Sequence, residues 1–108
     1  MFVVVYQFSA RKGCEQKFIL NWLKTTRGIY LFKGSLGSRL HKDKSGRFIA
    51  YAQWPSEQAY RNSTKGIMPR NYEKHGNDMK KQLDSVGVKI LFEMEVQKDF
   101  LKSSTFPV

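Results

Sequence analysis

The run RFIAYAQWPSEQAY, residues 47–60, decides how the chain folds. Side chains of a β-strand point to opposite faces in turn, so the alternation in the first half of this run predicts a strand. One face of that strand carries Phe48, Ala50, Ala52 and Trp54. Pro-Ser-Glu follows, and Ser56 suits a helix N-cap with Glu57 in the first turn. The run therefore predicts a strand that leads directly into a helix.

The segments before this run predict a strand, a helix and a second strand. Residues 2–8, FVVVYQF, are β-branched and aromatic, which favours a strand covered on both faces. From about Lys12 apolar residues recur at steps of three and four, which predicts a helix whose end frays at Gly28 and Gly34. Residues 35–42, SLGSRLHK, alternate weakly before the turn sequence DKSG, so we expect a hairpin with the next strand.

The segments after the run predict a broken helical region and a last strand. The helical region extends to about Val86, is interrupted near Gly66 and Pro69, and ends where Gly87 adopts the left-handed conformation. Its apolar stripe contains Tyr72, His75 or Gly76, Met79 and Leu83. The last strand is VKILFEMEV, whose alternation puts on one face Ile90, Phe92, Met94 and Val96.

The order β-α-β-β-α-β predicts an α+β, ferredoxin-like fold with a four-stranded antiparallel sheet and both helices on one face. At 108 residues we expect one domain, 1–108, with a core of about residues 2–97. The C-terminal tail, 98–108, either packs on a partner subunit or stays mobile. The second sheet face is apolar at Ile49, Tyr51 and Leu91, so we expect something to cover it.

Composition narrows the setting and the chemistry. The chain has 19 Lys and Arg against 9 Asp and Glu, a net charge of +10, but the cations are spread along the sequence, which favours solvated faces over a polyanion site. It lacks a long apolar run and a signal peptide, so we expect a cytoplasmic protein with no membrane partner. One cysteine and two histidines exclude an internal disulfide and disfavour a metal site or other cofactor.

The junction YAQWPSEQAYR, residues 51–61, resembles that of the antibiotic biosynthesis monooxygenases, above all those that oxidise anthrones to quinones without a cofactor. The resemblance implies a homodimeric α+β barrel, in which two sheets pack face to face. It also implies a pocket between sheet and helices for a small aromatic or otherwise apolar, anthrone- or quinol-like substrate. There the substrate loses a proton, and its anion reacts with dioxygen.

The same resemblance implies catalytic roles for a few side chains. Trp54 and Tyr60 match a tryptophan and a tyrosine of the family and would shape the pocket, while His41 or His75 would handle a proton. Ala50 stands where the anthrone-oxidising branch has an asparagine. The expected substrate-binding set is Phe48, Ala50, Ala52, Trp22 and Tyr72.

Structural interpretations of the same residues remain open. Trp54 and Tyr60 also suit a core, and Phe18, Trp22 or Met79 could fill the space beside the two alanines. Three other functions compete with the oxygenase. They are a non-catalytic ligand-binding or stress-related dimeric barrel, a haem-degrading oxygenase in which His75 would ligate iron, and an RNA-binding module. RNA binding is disfavoured because Phe48 and Tyr51 point to opposite faces.

Overall fold

The computed structural model describes residues 1–101 and confirms the α+β, ferredoxin-like architecture. Four antiparallel strands form one sheet in the order β2-β3-β1-β4. The strands are β1 (Phe2–Ala10), β2 (Gly37–Lys42), β3 (Phe48–Trp54) and β4 (Leu83–Glu95). The helices are α1 (Glu15–Phe32), α2 (Glu57–Asn62) and α3 (Arg70–Lys81), with a 3₁₀ turn at Ser63–Lys65. The second helical region is therefore divided, as Gly66 and Pro69 predict.

One face of the sheet packs against the helices and holds two apolar clusters. Directly paired residues of antiparallel strands share a face, so the pairs Phe8–Phe48, Tyr6–Ala50 and Phe2–Trp54 all lie on this side. The first cluster, the central core, consists of Phe8, Phe18, Trp22, Phe48, Ala50 and Leu83. The second, the Trp54 cluster, consists of buried Phe2, Val4 and Trp54, packed by half-buried Tyr6, Ile29 and Tyr60.

Gly28 lies inside α1 and lets α3 approach closely. A Cβ atom built on Gly28 would lie 2.6 Å from Cδ1 of Tyr72, a distance that no side chain tolerates. The predicted fraying at Gly28 is therefore wrong, because the helix continues to Phe32 and packs against α3 there. The Phe32 and Tyr72 rings, with centroids 5.4 Å apart, complete this contact.

The last helix ends earlier than its sequence pattern predicts. α3 stops at Lys81, and Leu83 is not on the helix but begins β4, where it pairs with Ala10 and enters the central core. Gly87 does have a positive φ of 71°, as predicted, but within β4. The carboxylate of Asp84 accepts hydrogen bonds from the backbone N–H groups of Val86 and Gly87, where the pairing of β4 with β1 is irregular. Burial of Leu83 in the central core therefore explains why the helix ends and the strand begins at this point.

A bulge at Leu91 changes which face β4 presents. Phe92 pairs with Val5, but Ile90 pairs with Tyr6, so Leu91 is the extra residue. Because one added residue reverses the alternation, Phe92 points away from the helices and Ile90 points toward them. The prediction that Ile90, Phe92 and Met94 share a face is therefore wrong for Ile90. Phe92 and Met94 are exposed on the face that the helices leave open.

The chain leaves β4 beside its own N-terminus. The backbone N–H of Val96 donates to the carbonyl of Met1 at 2.9 Å, and Phe100 and Leu101 are exposed. The predicted alternatives for the tail concern residues 98–108, most of which lie outside the described residues. Within residues 1–101, no helix is long and apolar enough to cross a membrane.

Candidate functional site

The Trp54 cluster is built by the strand–helix junction that decides the fold. Trp54 ends β3 with only 4 % of its surface exposed. Ser56 caps α2 as predicted, since its hydroxyl accepts a hydrogen bond from the Ala59 backbone N–H at 3.1 Å. The helix therefore starts at once and places Tyr60 edge-on against Trp54, with ring centroids 5.5 Å apart. Phe2 contacts the same tyrosine at 5.8 Å.

The indole nitrogen of Trp54 is the one buried side-chain nitrogen or oxygen in residues 1–101 that has no hydrogen-bond partner. A buried donor without an acceptor usually costs about 1–3 kcal/mol, and native proteins tolerate few of them. An acceptor oxygen on a small molecule placed beside this N–H would remove the cost. The cluster is thus mostly apolar but contains one hydrogen-bond donor that a ligand could satisfy.

Tyr6 adds a phenol to the same cluster, from the neighbouring strand. It pairs directly with Ala50 and contacts both the central core and the Trp54 cluster. Burial raises the pKa of the Tyr6 phenol well above its ordinary value, and its hydrogen bond with Tyr60 and the nearby carboxylate of Glu93 act in the same direction. Tyr6 consequently stays protonated at neutral pH, when a phenol donates hydrogen bonds.

An ion-pair group closes the solvent side of the cluster. The guanidinium of Arg61 lies 3.1 Å from the carboxylate of Glu57, forms a second ion pair with Glu93 on β4, and stacks 5.1 Å from the centre of the Tyr60 ring. Hydrogen bonds to Glu93 and then Glu57 raise the pKa of Arg61 above its ordinary value. Since these charges are largely exposed, they contribute little to stability. Their effect is to hold α2, and hence Tyr60, against the sheet.

His41 lies on the other side of the sheet from Trp54. It pairs with Ile49 on β3, whose side chain alternates with those of Phe48 and Ala50, so His41 faces away from the helices. Its Nδ1 atom is 3.1 Å from the Ile49 carbonyl oxygen, and the residue is exposed. The structure therefore does not bring His41 together with Trp54 and Tyr60.

His75 and Tyr72 lie on α3, on the helix side of the sheet. Their rings meet edge-on at 6.1 Å, and Tyr72 covers Gly28 of α1. His75 is half-buried. This position belongs to the α1–α3 contact, so Tyr72 holds the helices together whether or not it also lines a pocket.

The predicted space beside the two alanines is largely filled. Ala50 is 1 % exposed and belongs to the central core together with Phe48 and Trp22. The ring of Phe18 lies 5.0 Å from that of Phe48, and Met79 packs against the same cluster. Ala52 is also buried; it lies farther along β3 than Ala50, toward Trp54, and pairs with Val4. Of the expected substrate-binding set, Ala52 is the member nearest the Trp54 cluster along the sheet.

Three residues of the site were missed in the sequence: Tyr6, Arg61 and Glu93. Tyr6 could have been found, because alternation along β1 puts it on the same face as Phe2 and Phe8. Glu93 could not, since its position depends on the bulge at Leu91. Among residues 1–101, no three His, Cys, Asp or Glu side chains come together as a metal site.

The sequence matches the family model of the antibiotic biosynthesis monooxygenases over residues 1–68, more than half of the chain. The chain belongs to this family. The match contains β1, the β2–β3 hairpin and the junction with Trp54 and Tyr60, so the site described above lies almost wholly within the family region. No curated protein sequence matches the chain.

Solved structures share the fold of this antibiotic biosynthesis monooxygenase family member. A mutant form of SnoaB, a cofactor-independent oxygenase from Streptomyces nogalater, superposes with a TM-score of 0.69 at 13 % identity, over 94 % of this chain and 97 % of SnoaB. Rv0793 from Mycobacterium tuberculosis superposes with a TM-score of 0.64 at 12 % identity, over 90 % of this chain and 98 % of Rv0793. At such identities the likeness establishes the shared fold.

Proposed function

We propose that the protein is a cofactor-independent monooxygenase that oxidises a small aromatic, anthrone- or quinol-like substrate with dioxygen. Membership of the monooxygenase family supports the reaction class. The observation that carries the proposal for this chain is the buried indole N–H of Trp54, which lacks an acceptor and belongs to a cluster that contains the rings of Phe2, Tyr6 and Tyr60. A flat aromatic molecule with a carbonyl or phenol oxygen would pack on these rings and supply the missing acceptor.

In the proposed reaction, the substrate loses a proton from a phenol or an acidic C–H group. Its anion gives one electron to dioxygen, and the radical pair recombines through a new C–O bond to a peroxide, which takes up a proton. The hydroperoxide then loses its outer oxygen as water, together with the remaining hydrogen on the same carbon, and leaves a quinone. The Trp54 N–H would donate to the substrate oxygen on which negative charge develops. Tyr6 stays protonated and is hydrogen-bonded to Tyr60, so it would position Tyr60 and would not act as the base.

We assign the proton acceptor to His75 in preference to His41. His75 lies on the helix side of the sheet and is half-buried, whereas His41 faces the opposite side. A proton acceptor must lie on the side of the sheet where the substrate would bind, and only the neutral imidazole can accept a proton. We therefore expect substitution of His75 to abolish turnover and substitution of His41 to leave it unchanged.

The proposed state is a cytoplasmic homodimer. Phe92 and Met94 are exposed on the open sheet face beside Val3 and Val5 of β1. Exposed apolar surface of this kind favours association, and packing the open faces of two sheets together would cover it.

The test is incubation of the purified protein with anthrones and hydroquinones, with and without oxygen, following quinone absorbance and oxygen uptake against a protein-free blank. We expect oxygen-dependent turnover that is lost in Trp54→Phe and His75→Gln and kept in His41→Gln. Trp54→Phe retains an aromatic ring, removes the indole donor and leaves only a small cavity. Equal activity of Trp54→Phe and the native protein would contradict the assigned role of the N–H group.

A second candidate, a non-catalytic ligand-binding barrel, is favoured by one observation. Ala50 supplies no hydrogen-bonding side chain, and aromatic residues of the central core pack around it. In that case the same compounds would bind, as measured by isothermal titration calorimetry, and binding would weaken in Trp54→Phe, but no oxygen would be consumed.

A further inference from the structure

The outer face of α1 carries leucines where a solvent-exposed helix normally carries polar residues. A helix makes one turn in about 3.6 residues, so positions 20, 23, 24, 27 and 31 lie on one side. This side points away from the sheet, because the buried residues Phe18, Trp22 and Thr26 occupy the opposite side. The exposed fractions of its three leucines are 51 % for Leu20, 52 % for Leu23 and 41 % for Leu31.

The same face is purely cationic. From Gln16 to Lys42 the chain contains no Asp or Glu, so no acidic side chain of this segment offsets its positive charge. Lys17, Lys24 and Arg27 lie on the outer face of α1 among the leucines, and all three are exposed. Some cations elsewhere on the surface are paired with carboxylates, as Arg61 is with Glu57 and Glu93.

A loop extends this surface at the C-terminal end of α1. Ile67 is 86 % exposed in the sequence KGIMPR, between Lys65 and Arg70. The loop rests on the helix end, since a Cβ atom built on Gly66 would lie 3.7 Å from Cγ of Lys33 and 3.8 Å from the carbonyl oxygen of Phe32. We call the outer face of α1 together with residues 65–67 the α1 surface.

We propose that the α1 surface binds the face of an anionic lipid bilayer, without spanning it. Leu20 and Leu31 lie about 16 Å apart along the axis, with cations between them, and this mixture suits an interface where acyl chains meet charged headgroups. A nucleic acid would use the cations but leave the leucines exposed. Charge complementarity and apolar contact together therefore favour an anionic lipid surface.

This inference differs from the expectation that the protein has no membrane partner. That expectation rested on the lack of an apolar run, which excludes a spanning segment and leaves surface contact untested. The leucines are separated in sequence by polar residues and come together only when α1 is wound. The surface is also independent of the Trp54 cluster, because it faces solvent and the cluster faces the sheet.

The test is co-sedimentation of the full chain with large vesicles of phosphatidylcholine alone or with 30 % phosphatidylglycerol, at low and physiological salt. Lys24→Glu/Arg27→Glu reverses the charge of the α1 surface, and Leu20→Gln/Leu23→Gln removes its apolar part at constant charge. Lys44→Glu/Lys80→Glu is the matched control, since it changes the net charge equally at exposed positions outside α1. Circular dichroism melts verify that each variant folds.

We expect binding to the anionic vesicles only, reduced about tenfold or more by the charge reversal and severalfold by the leucine substitutions, and retained in the control. Three outcomes would overturn the proposal. One is no binding of the native protein to anionic vesicles. Another is equal loss in the control, which would indicate net charge alone. The third is equal binding of the native and leucine-substituted proteins to vesicles and to single-stranded RNA, which would indicate a general polyanion site.

Discussion

The central core and the Trp54 cluster lie on one face of one sheet, yet they differ in what they leave unsatisfied. The central core is closed: the ring centroid of Phe18 lies 5.3 Å from that of Phe8 and 5.0 Å from that of Phe48, and the same cluster contains Ala50. The Trp54 cluster mixes rings with an indole N–H and two phenols, and its indole donor has no acceptor. The central core thus contributes mainly to stability, whereas the Trp54 cluster has a donor with which a ligand could form a hydrogen bond.

The largest expected effect is on stability, at the central core. Phe18→Ala should lower the free energy of unfolding by about 3–5 kcal/mol, because it leaves a cavity among fully buried rings. Urea denaturation measures this change. Leu20→Ala on the same helix is the control, since an exposed position should shift stability by less than about 0.5 kcal/mol. A small effect of Phe18→Ala would show that the core is not closed.

The next effect separates the two regions by activity. Trp54→Phe should reduce the oxidation rate roughly 100-fold, the usual cost of losing one donor to a developing negative charge. Its stability should fall by only about 1 kcal/mol, because the new cavity is small and an unpaired donor is removed. Parallel kinetics and urea denaturation are the measurements. A rate loss no larger than the loss of stability explains would make Trp54 a core residue. The Trp54 cluster would then not differ from the central core.

Ala50→Asn tests whether the central core has room for a ligand. We expect a destabilisation of about 1–3 kcal/mol, since an amide would be buried among aromatic side chains without sufficient partners. Thermal unfolding followed by circular dichroism measures it, with Ala50→Ser as a smaller polar control. If the variant instead keeps its stability and oxidises anthrones faster, the pocket reaches Ala50 and the boundary between the two regions moves.

The smallest effect concerns pH. The pKa of Tyr6 is raised in the folded state, mainly by burial, so the unfolded chain releases this proton more readily. The stability it supports is complete below about pH 10, the ordinary pKa of tyrosine, and declines as the pH rises above it. Between pH 8 and about pH 10.8, the urea concentration at the unfolding midpoint should therefore fall less in Tyr6→Phe than in the native protein. An identical fall in both proteins would contradict the raised pKa of the Tyr6 phenol in the folded state.

Local signals in the sequence were sufficient for the fold. Alternation from Phe48 to Trp54 and the cap at Ser56 set the central strand and the helix after it, and the structure confirms both. The hairpin of β2 and β3 was predicted as well, but the register of strand pairing was not readable in this way. The face of His41 depends on its register with Ile49, and the face of Glu93 depends on one extra residue in β4. Both are long-range properties, which explains why the predicted site included His41 and missed Glu93.

Packing was the other quantity that local patterns could not give. Two alanines beside two aromatic residues indicated space, but whether α1 fills that space depends on how closely α1 approaches the sheet. Phe18 is fully buried against Phe48, so the helix does fill it at Ala50. The unpaired N–H of Trp54 is likewise a property of its surroundings, since tryptophan in a sequence carries no sign of whether its donor finds a partner.

The bulge at Leu91 gives β4 two halves in opposite phase. Beyond it, Glu93 turns inward to Arg61 while Phe92 and Met94 turn outward; before it, Ile90 turns inward. A deletion of this single residue would exchange inside and outside for one half of the strand and leave the other half unchanged. A deletion that exchanges the half before Leu91 would therefore change the open sheet face while keeping the carboxylate that holds α2 in place. In β4, therefore, the number of residues and not only their types selects which side chains reach the outer surface.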